Sequence, residues 1–329
     1  MTSLNVSHRK PDDTRAFVLS IIRSALPKSN EPLGQAAHHH FHDTGKMLRA
    51  GLALSTAKAL KVHSETALYW AAAIEVLHNA SLIHDDISDG DTKRRDRPSV
   101  WAAFGRDIAL ALGDWLIALS YDFAAKASMT ARAPELVSVL AKHKKDTTSG
   151  QAMDFEMKSY PEWNDYLNVI RGKTAPLFIA PVEGMALVAG RDDLIKPVAD
   201  YFNAVGTAYQ VANDILNLLG EDGALNPASD LIRRAPNGVI VTFRNTLMRD
   251  DADAFDQWLR SGDHQDASYW HNRILSSSAL KITCEMMTGI LRDAEHKAST
   301  IPDELVQIVN PVQQLLAKVC AESIQHAAE

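Results

Sequence analysis

An all-α bundle is the fold that this 329-residue sequence predicts, on three observations. Apolar residues recur every three or four positions almost throughout, as in Phe17, Ile21, Ile22 and Ala25, and again in Leu52, Ala53, Ala57 and Leu60. Alternating β-branched patterns are scarce, and the best strand candidate, Val239–Phe243, is short. The Ala-rich stretch Ile108–Ala127 is apolar around much of a helical circumference, which places it at the centre of a multi-helix bundle.

Taken in order, the periodicity predicts long helices over Thr66–Ser88, Ser99–Ala127, Glu135–Tyr160 and Trp163–Ala189. Another follows over Asp192–Leu219, and the C-terminal third carries several shorter ones. Breaks fall at Gly90–Pro98, Pro161, Arg191–Asp193 and Gly220–Gly238. The 16 Gly and 13 Pro are scattered, and neither a linker nor a repeat interrupts the pattern. One domain over residues 1–329 is expected, with the polar stretch Met1–Asp13 flexible.

A hydrophobic content of 46% is ample for a buried core. A net charge of −7 argues against general nucleic-acid or anionic-membrane binding. With only Cys284 and Cys320, a disulfide framework is not expected; both are read as unreactive helix residues in a reducing compartment. The N-terminus has no apolar signal core, and no uninterrupted apolar stretch reaches the ~18 residues of a spanning helix. The expectation is a soluble, cytoplasmic protein.

The chemistry is concentrated in Asp85-Asp86-Ile-Ser-Asp89. On a helix Asp85 and Asp89 lie one turn apart on one face, and adjacent carboxylates repel unless cations neutralise them. Hard oxygen ligands of this kind suit Mg²⁺, which typically bridges to phosphate oxygens. An apparent counterpart, Asn213-Asp214-Ile-Leu-Asn217, has lost two of three carboxylates. A break follows each cluster, so a bundle would bring both to the same ends of two helices, with an apolar pocket behind them. Cations accompany them: Arg94 and Arg95 as a pair of forks suited to a diphosphate, Lys46 and Arg49 three positions apart, and Lys173 beside Thr174. His78 lies two turns before Asp85, and Gln151 and Asp154 share a helix face. This inventory fits two anionic substrates, one of them held through Mg²⁺.

In order, the chain carries Gly45-Lys46-x-x-Arg49, His78, Asp85-Asp86-x-x-Asp89, Arg94-Arg95-x-x-Pro98, Gly113-Asp114, Gly150-Gln151-x-x-Asp154, Lys173-Thr174 and Gln210-x-x-Asn213-Asp214. In these elements it resembles the trans-isoprenyl diphosphate synthases of the polyprenyl synthetase family, from about residue 36 onwards. The resemblance implies the all-α class I isoprenoid-synthase bundle with a central apolar cavity. It also implies a homodimer and Mg²⁺, about three ions in all. Asp85, Asp89 and Asp154 would hold metal around an allylic prenyl diphosphate, with Asp86, Arg94, Lys173, Thr174 and Gln210 assisting. Lys46, Arg49, His78 and Arg95 would hold isopentenyl diphosphate, whose double bond attacks the allylic cation.

The chain departs from this pattern at the second cluster, where Asn213 and Asn217 are neutral and weaker ligands. A lysine usual downstream is missing, leaving Arg233 or Arg234 to substitute. The glycine pair before the first lysine is reduced to Thr44-Gly45. Asn213-Asp214-x-x-Asn217-x-x-x-Glu221 also has the spacing of the class I terpene-synthase metal motif, with Asn217 and Glu221 as ligands. A terpene synthase releasing a hydrocarbon or alcohol is therefore the alternative reading, and a non-catalytic subunit of a heteromeric synthase a minor one.

The remaining features have plainer readings. His38, His39, His40 and His42 suit no tetrahedral metal set and are read as surface or helix-end residues. His84 is structural or a partner of Asp85, and Lys142–Asp146 is a solvated face. In the family that the chain resembles, bulky aromatics about one turn before the first Asp close the hydrocarbon pocket. The resemblance puts Ala80 and Ser81 at those positions and so implies a pocket open at that level, with Trp115 closing it lower down if it faces inward. A chain of roughly C15–C20 or longer is expected from such a pocket.

Overall fold

The computed structural model describes residues 11–155, 160–221, 227–261 and 265–326. The chain opens with α1 (Pro11–Ala25), α2 (Pro32–His40), α3 (Leu48–Ala59) and α4 (Ser64–Asp89). An antiparallel hairpin, β1 (Lys93–Arg94) and β2 (Arg97–Pro98), leads to α5 (Val100–Phe104), α6 (Arg106–Ala131) and α7 (Glu135–Phe155). Next come α8 (Trp163–Thr174), α9 (Pro176–Val188), a 3₁₀ turn (Asp192–Leu194) and α10 (Ile195–Leu219). Six shorter or later helices complete it: α11 (Ser229–Arg233), α12 (Gly238–Thr246), α13 (Arg249–Ser261), α14 (Ala267–Leu275), α15 (Ala279–Ala298) and α16 (Asp303–His326). The expected flexible segment overlaps α1 at residues 11–13, and the rest of it lies outside the described residues, as does the end of the helix expected to Tyr160 over residues 156–159.

The chain divides into two compact units. One runs to Lys145 and adds Leu177–Val198 and Ile301–Ile308; the other takes Asp146–Pro176, Ala199–Thr300 and the chain from Val309. In the first, α4 and α6 pack through small residues: Ala73, Ala80, Ala109 and Ala124 are fully buried. At Gly113 of α6 the approach is so close that an added Cβ would stand 2.0 Å from His84 Nε2. Trp70 of α4 lies against Gly184 of α9 and donates its indole N–H to the carbonyl of Pro181 (3.2 Å), so this large side chain is buried with its one donor satisfied. Although no uninterrupted apolar run marks it, α6 is long and apolar enough to cross a membrane by length and composition alone. Its buried face packs on α4 as a core helix does.

In the second unit α12 packs on α8 and α15, and Phe243, Phe255, Trp258 and Trp270 form one aromatic cluster, Phe243 edge-on to Phe255 and Phe255 stacked on Trp258. The strand candidate Val239–Phe243 is corrected here: it is part of α12. Asn237 caps that helix by accepting from Val239 N (3.0 Å), and Val239, Ile240 and Val241 are wholly buried, so packing overrides the β preference of branched side chains. Two long expected helices are each split. Gly105, at φ 89°, separates α5 from α6, and Pro176 opens α9 after α8 ends.

Candidate active site

The first acidic cluster closes α4, which Gly90 ends in the left-handed conformation at φ 71° with its N–H on the Asp86 carbonyl. Asp85 and Asp89 are half-buried, whereas Asp86 turns inward to 1% exposure. Arg94 forks it: Nε donates to Oδ1 and Oδ2 (2.8 and 3.0 Å), and Nη2 to Oδ1 (2.6 Å). Burial pushes the Asp86 carboxyl up against the pull of Arg94. Lys144 of α7 stands in the field of Asp85 and Asp114; burial lowers its ammonium against those two acids. His84, next to Asp85 in the chain, lies 3.8 Å from Asp114. Two half-exposed carboxylates one turn apart, with oxygen donors only, fit Mg²⁺ together with its own waters. Among the described residues no group of three or more His, Cys, Asp or Glu is placed to hold a metal ion.

The hairpin after α4 presents the paired arginines. Its two-residue turn is Arg95–Asp96, both at positive φ (52° and 61°), as the register Arg94 opposite Arg97 requires. Arg95 reaches back to donate to the carbonyl of Asp43. It lies over Gly45, at φ 60°, where an added Cβ would be 3.2 Å from the guanidinium carbon. From α3, Arg49 donates to Nε2 of His78 (3.0 Å) and stacks 4.4 Å from the centroid of Phe178. Burial, then Arg49, Arg94 and Arg95, hold the His78 imidazole well below its ordinary range, so it is neutral and accepts through Nε2. Lys46 is exposed beside them. Arg49, His78 and Arg95 are thus assembled around one loop.

A layer that sequence reasoning missed lies beneath. His40 is buried at 9% exposure and bonds Asn79 Oδ1 (2.9 Å), while Asn79 donates to the Glu75 carbonyl (2.8 Å) and Glu75 receives Ala50 N (3.1 Å). His39 donates through Nε2 to Pro98 O (2.8 Å) and accepts at Nδ1 from Arg97 (3.3 Å), bracing the hairpin. Both histidines sit at a helix end as expected, but His40 is not a surface residue. The signal available was its place three and four positions after the buried Ala37 and Ala36 of α2.

The second cluster, on α10, is used differently. Asp214 is 2% exposed, and its Oδ2 accepts from Tyr166 OH (2.5 Å) and Gly238 N (2.7 Å) while Oδ1 accepts from Gln210 (3.0 Å). Burial, then the neighbouring Asp230, push its carboxyl up to about 7. Asn217 accepts from Asp230 N (3.1 Å) and donates to Ser229 Oγ (2.7 Å). Asn213 is half-buried, and Glu221 is exposed beyond Gly220, past the end of α10. The spacing that suggested a terpene-synthase triad is therefore not presented on one helix.

The other sequence-derived residues fall as follows. Gly150 of α7 meets Gly172 of α8 so closely that an added Cβ would lie 2.6 Å from Lys173 N, and this contact sets where Lys173 and Thr174 stand. The side chain of Asp154 lies outside the described residues. Gln151 has a buried Nε2 without a hydrogen-bond partner. Arg233 pairs with Asp230 (2.8 Å), and Arg234 stacks on Trp258 (4.8 Å). Ala80 is wholly buried in the core, Ser81 is half-buried with its hydroxyl on the Leu77 carbonyl, and Trp115 is half-buried against the same core. Cys284 is buried, which pushes its thiol up to about 11 and leaves it unreactive.

An α-helical fold ending one helix in paired carboxylates, next to a loop of arginines, defines a diphosphate-handling enzyme. The polyprenyl synthetase profile matches residues 30–272, and the chain belongs to that family. It is 33% identical over 215 residues to a short chain isoprenyl diphosphate synthase of Methanocaldococcus jannaschii, covering 64% of this chain and 66% of the relative. It is 32% identical over 227 residues to a geranylgeranyl diphosphate synthase of Saccharolobus solfataricus, covering 67% and 68%. The matched stretches thus span about two thirds of those relatives. The crystal structure of a geranylgeranyl pyrophosphate synthetase from Pyrococcus horikoshii superposes with a TM-score of 0.79 at 26% identity, covering 95% of this chain and 97% of that one. The expected isoprenoid-synthase fold and prenyltransferase class hold.

Proposed function

We propose that the chain transfers an allylic prenyl group to isopentenyl diphosphate, extending it by one five-carbon unit, with a product of roughly C15–C20 or longer. The observation that carries this is the cationic loop in which Arg49, neutral His78 and Arg95 converge, with Lys46 exposed beside them. A second diphosphate needs such a loop; an enzyme that only ionises one substrate does not. Asp85 and Asp89 are the residues to hold Mg²⁺, the metal this family uses, which when bound offsets charge on the leaving diphosphate.

The chain's own side chains supply the rest. Arg49 and Arg95 bind and orient the acceptor diphosphate, and the ring of His78 keeps Arg49 from swinging away. Arg94 fixes the inward turn of Asp86, so Asp85 and Asp89 keep their direction. The allylic C–O bond breaks, its electrons leave with the diphosphate, and the isopentenyl double bond forms the new C–C bond. A proton then leaves the neighbouring carbon for the released diphosphate. The reading includes a cytoplasmic homodimer through the exposed face of α6, where Leu110, Ala111 and Ala118 stand in solvent. Light scattering tests the dimer.

The function is tested by mass spectrometry of products from allylic diphosphates of increasing length, with and without isopentenyl diphosphate. A longer diphosphate formed only with isopentenyl diphosphate is expected. A hydrocarbon or alcohol released without it would replace this reading by a terpene synthase.

A further inference from the structure

The second cluster has the sequence of a metal motif but the bonding of a helix junction. Both carboxylate oxygens of Asp214 are engaged, and two of their three donors, Tyr166 OH and Gly238 N, come from α8 and from the start of α12. Asn237, wholly buried, ties the same place together: its Nδ2 donates to the Asp214 carbonyl and to Asp230 Oδ2 (3.0 Å each), and its Oδ1 caps α12. Tyr160 OH adds a bridge, accepting from Asn237 N (3.1 Å) and donating to Ala235 O (3.0 Å). Asn217, at 5% exposure, holds the first turn of α11 through Asp230 N and Ser229 Oγ. Asp230 in turn pairs with Arg233.

A Mg²⁺ ligand oxygen must face an ion that carries its own waters. The oxygens of Asp214 face the Tyr166 hydroxyl, the Gln210 amide and Gly238 N–H instead, that of Asn217 faces Asp230 N–H, and both side chains are buried. That leaves the Asn213 carbonyl, a single neutral oxygen in place of the one or two carboxylates through which Mg²⁺ is ordinarily held beside substrate phosphates. We infer that Asn213-Asp214-Ile-Leu-Asn217 is a structural lock joining α10 to α8, α11 and α12, and that the chain holds its cations through Asp85 and Asp89 without it. The inference rests on the proposed function, since it assigns all metal binding to the first cluster.

Counting Mn²⁺ bound to the full chain in the presence of inorganic diphosphate, by the EPR signal of the free ion, tests this alongside thermal unfolding. Asp214→Asn is expected to bind as many ions as the parent while unfolding at lower temperature. Tyr166→Phe removes one hydroxyl and keeps the ring; it is expected to lower Tm by about 2–4 °C with the ion count unchanged. Loss of a bound ion in either variant, or an unmoved Tm in Tyr166→Phe, overturns the lock. Asp85→Asn is the control: if it left the ion count unchanged, the metal assignment of the proposed function would fail, whatever the lock does.

Discussion

Arg94 closes a three-bond fork on the buried carboxylate of Asp86, and this pair divides the labour within the first acidic cluster. The middle acid anchors the arginine hairpin to α4, while the outer two remain half-exposed. Asp86→Asn removes the charge opposite a largely sequestered guanidinium and is expected to cost roughly 2–4 kcal/mol of stability. Asp85→Asn and Asp89→Asn should leave the melting temperature within a degree or so and reduce kcat about 10²-fold or more. Calorimetry and steady-state rates on the three variants separate the roles. Equal losses of stability in all three would remove the distinction.

Glycines at helix crossings should show opposite signs of effect. An Ala at Gly150 would put its Cβ 2.5 Å from the carbonyl carbon of Gly172, a backbone contact that no rotamer relieves. Gly150→Ala is expected to cost about 3 kcal/mol and to weaken turnover by displacing Lys173. Gly289, in the middle of α15, has open space where a Cβ would go. There Gly289→Ala should gain about 0.5–1 kcal/mol, from helix propensity alone. Denaturant midpoints of the two variants decide it.

The turn Arg95–Asp96 asks two ordinary residues to adopt positive φ, at about 1 kcal/mol each. Asp86, Asp43 and His39 hold it there through Arg94, Arg95 and Pro98 respectively. Asp96→Gly is expected to raise Tm by about 2–4 °C and leave KM for isopentenyl diphosphate unchanged, because Arg95 keeps its anchor. His39→Ala should instead raise that KM more than the KM for the allylic substrate. Steady-state titration of each substrate checks both.

How far the sequence shows this site depends on how local its causes are. The helix expected over Thr66–Ser88 is α4 with a residue or two added, because periodicity and Gly90 lie within it. The convergence of Arg49 with His78 is 29 residues long-range, and only the ordered motifs pointed to it. At Asp214 spacing alone misleads: Tyr166 and Gly238, which turn it inward, lie 48 and 24 residues away. The pair Gly150 and Gly172 likewise looks like two ordinary helix glycines until the helices cross. Val239–Phe243 reads as a strand because a branched run carries no trace of the helices that bury it.

His40 gives the fold a predictable acid limit. Burial outweighs its bond to Asn79 and lowers its pKa from 6.5 to about 4, so the folded protein holds it neutral where the unfolded chain is protonated. The unfolded state therefore binds more protons between pH 6.5 and 4, and stability falls as pH drops through that window. A shift of this size corresponds to roughly 3 kcal/mol, present in full above pH 6.5 and lost by pH 4. His78, held low by burial and three arginines, adds a loss of the same sign. Urea unfolding at pH 7, 6 and 5 should show a progressive fall in the parent. His40→Gln, which cannot titrate, should be less stable at pH 7 but show a shallower slope. Equal slopes in the two proteins would mean that the buried imidazole does not set the acid limit.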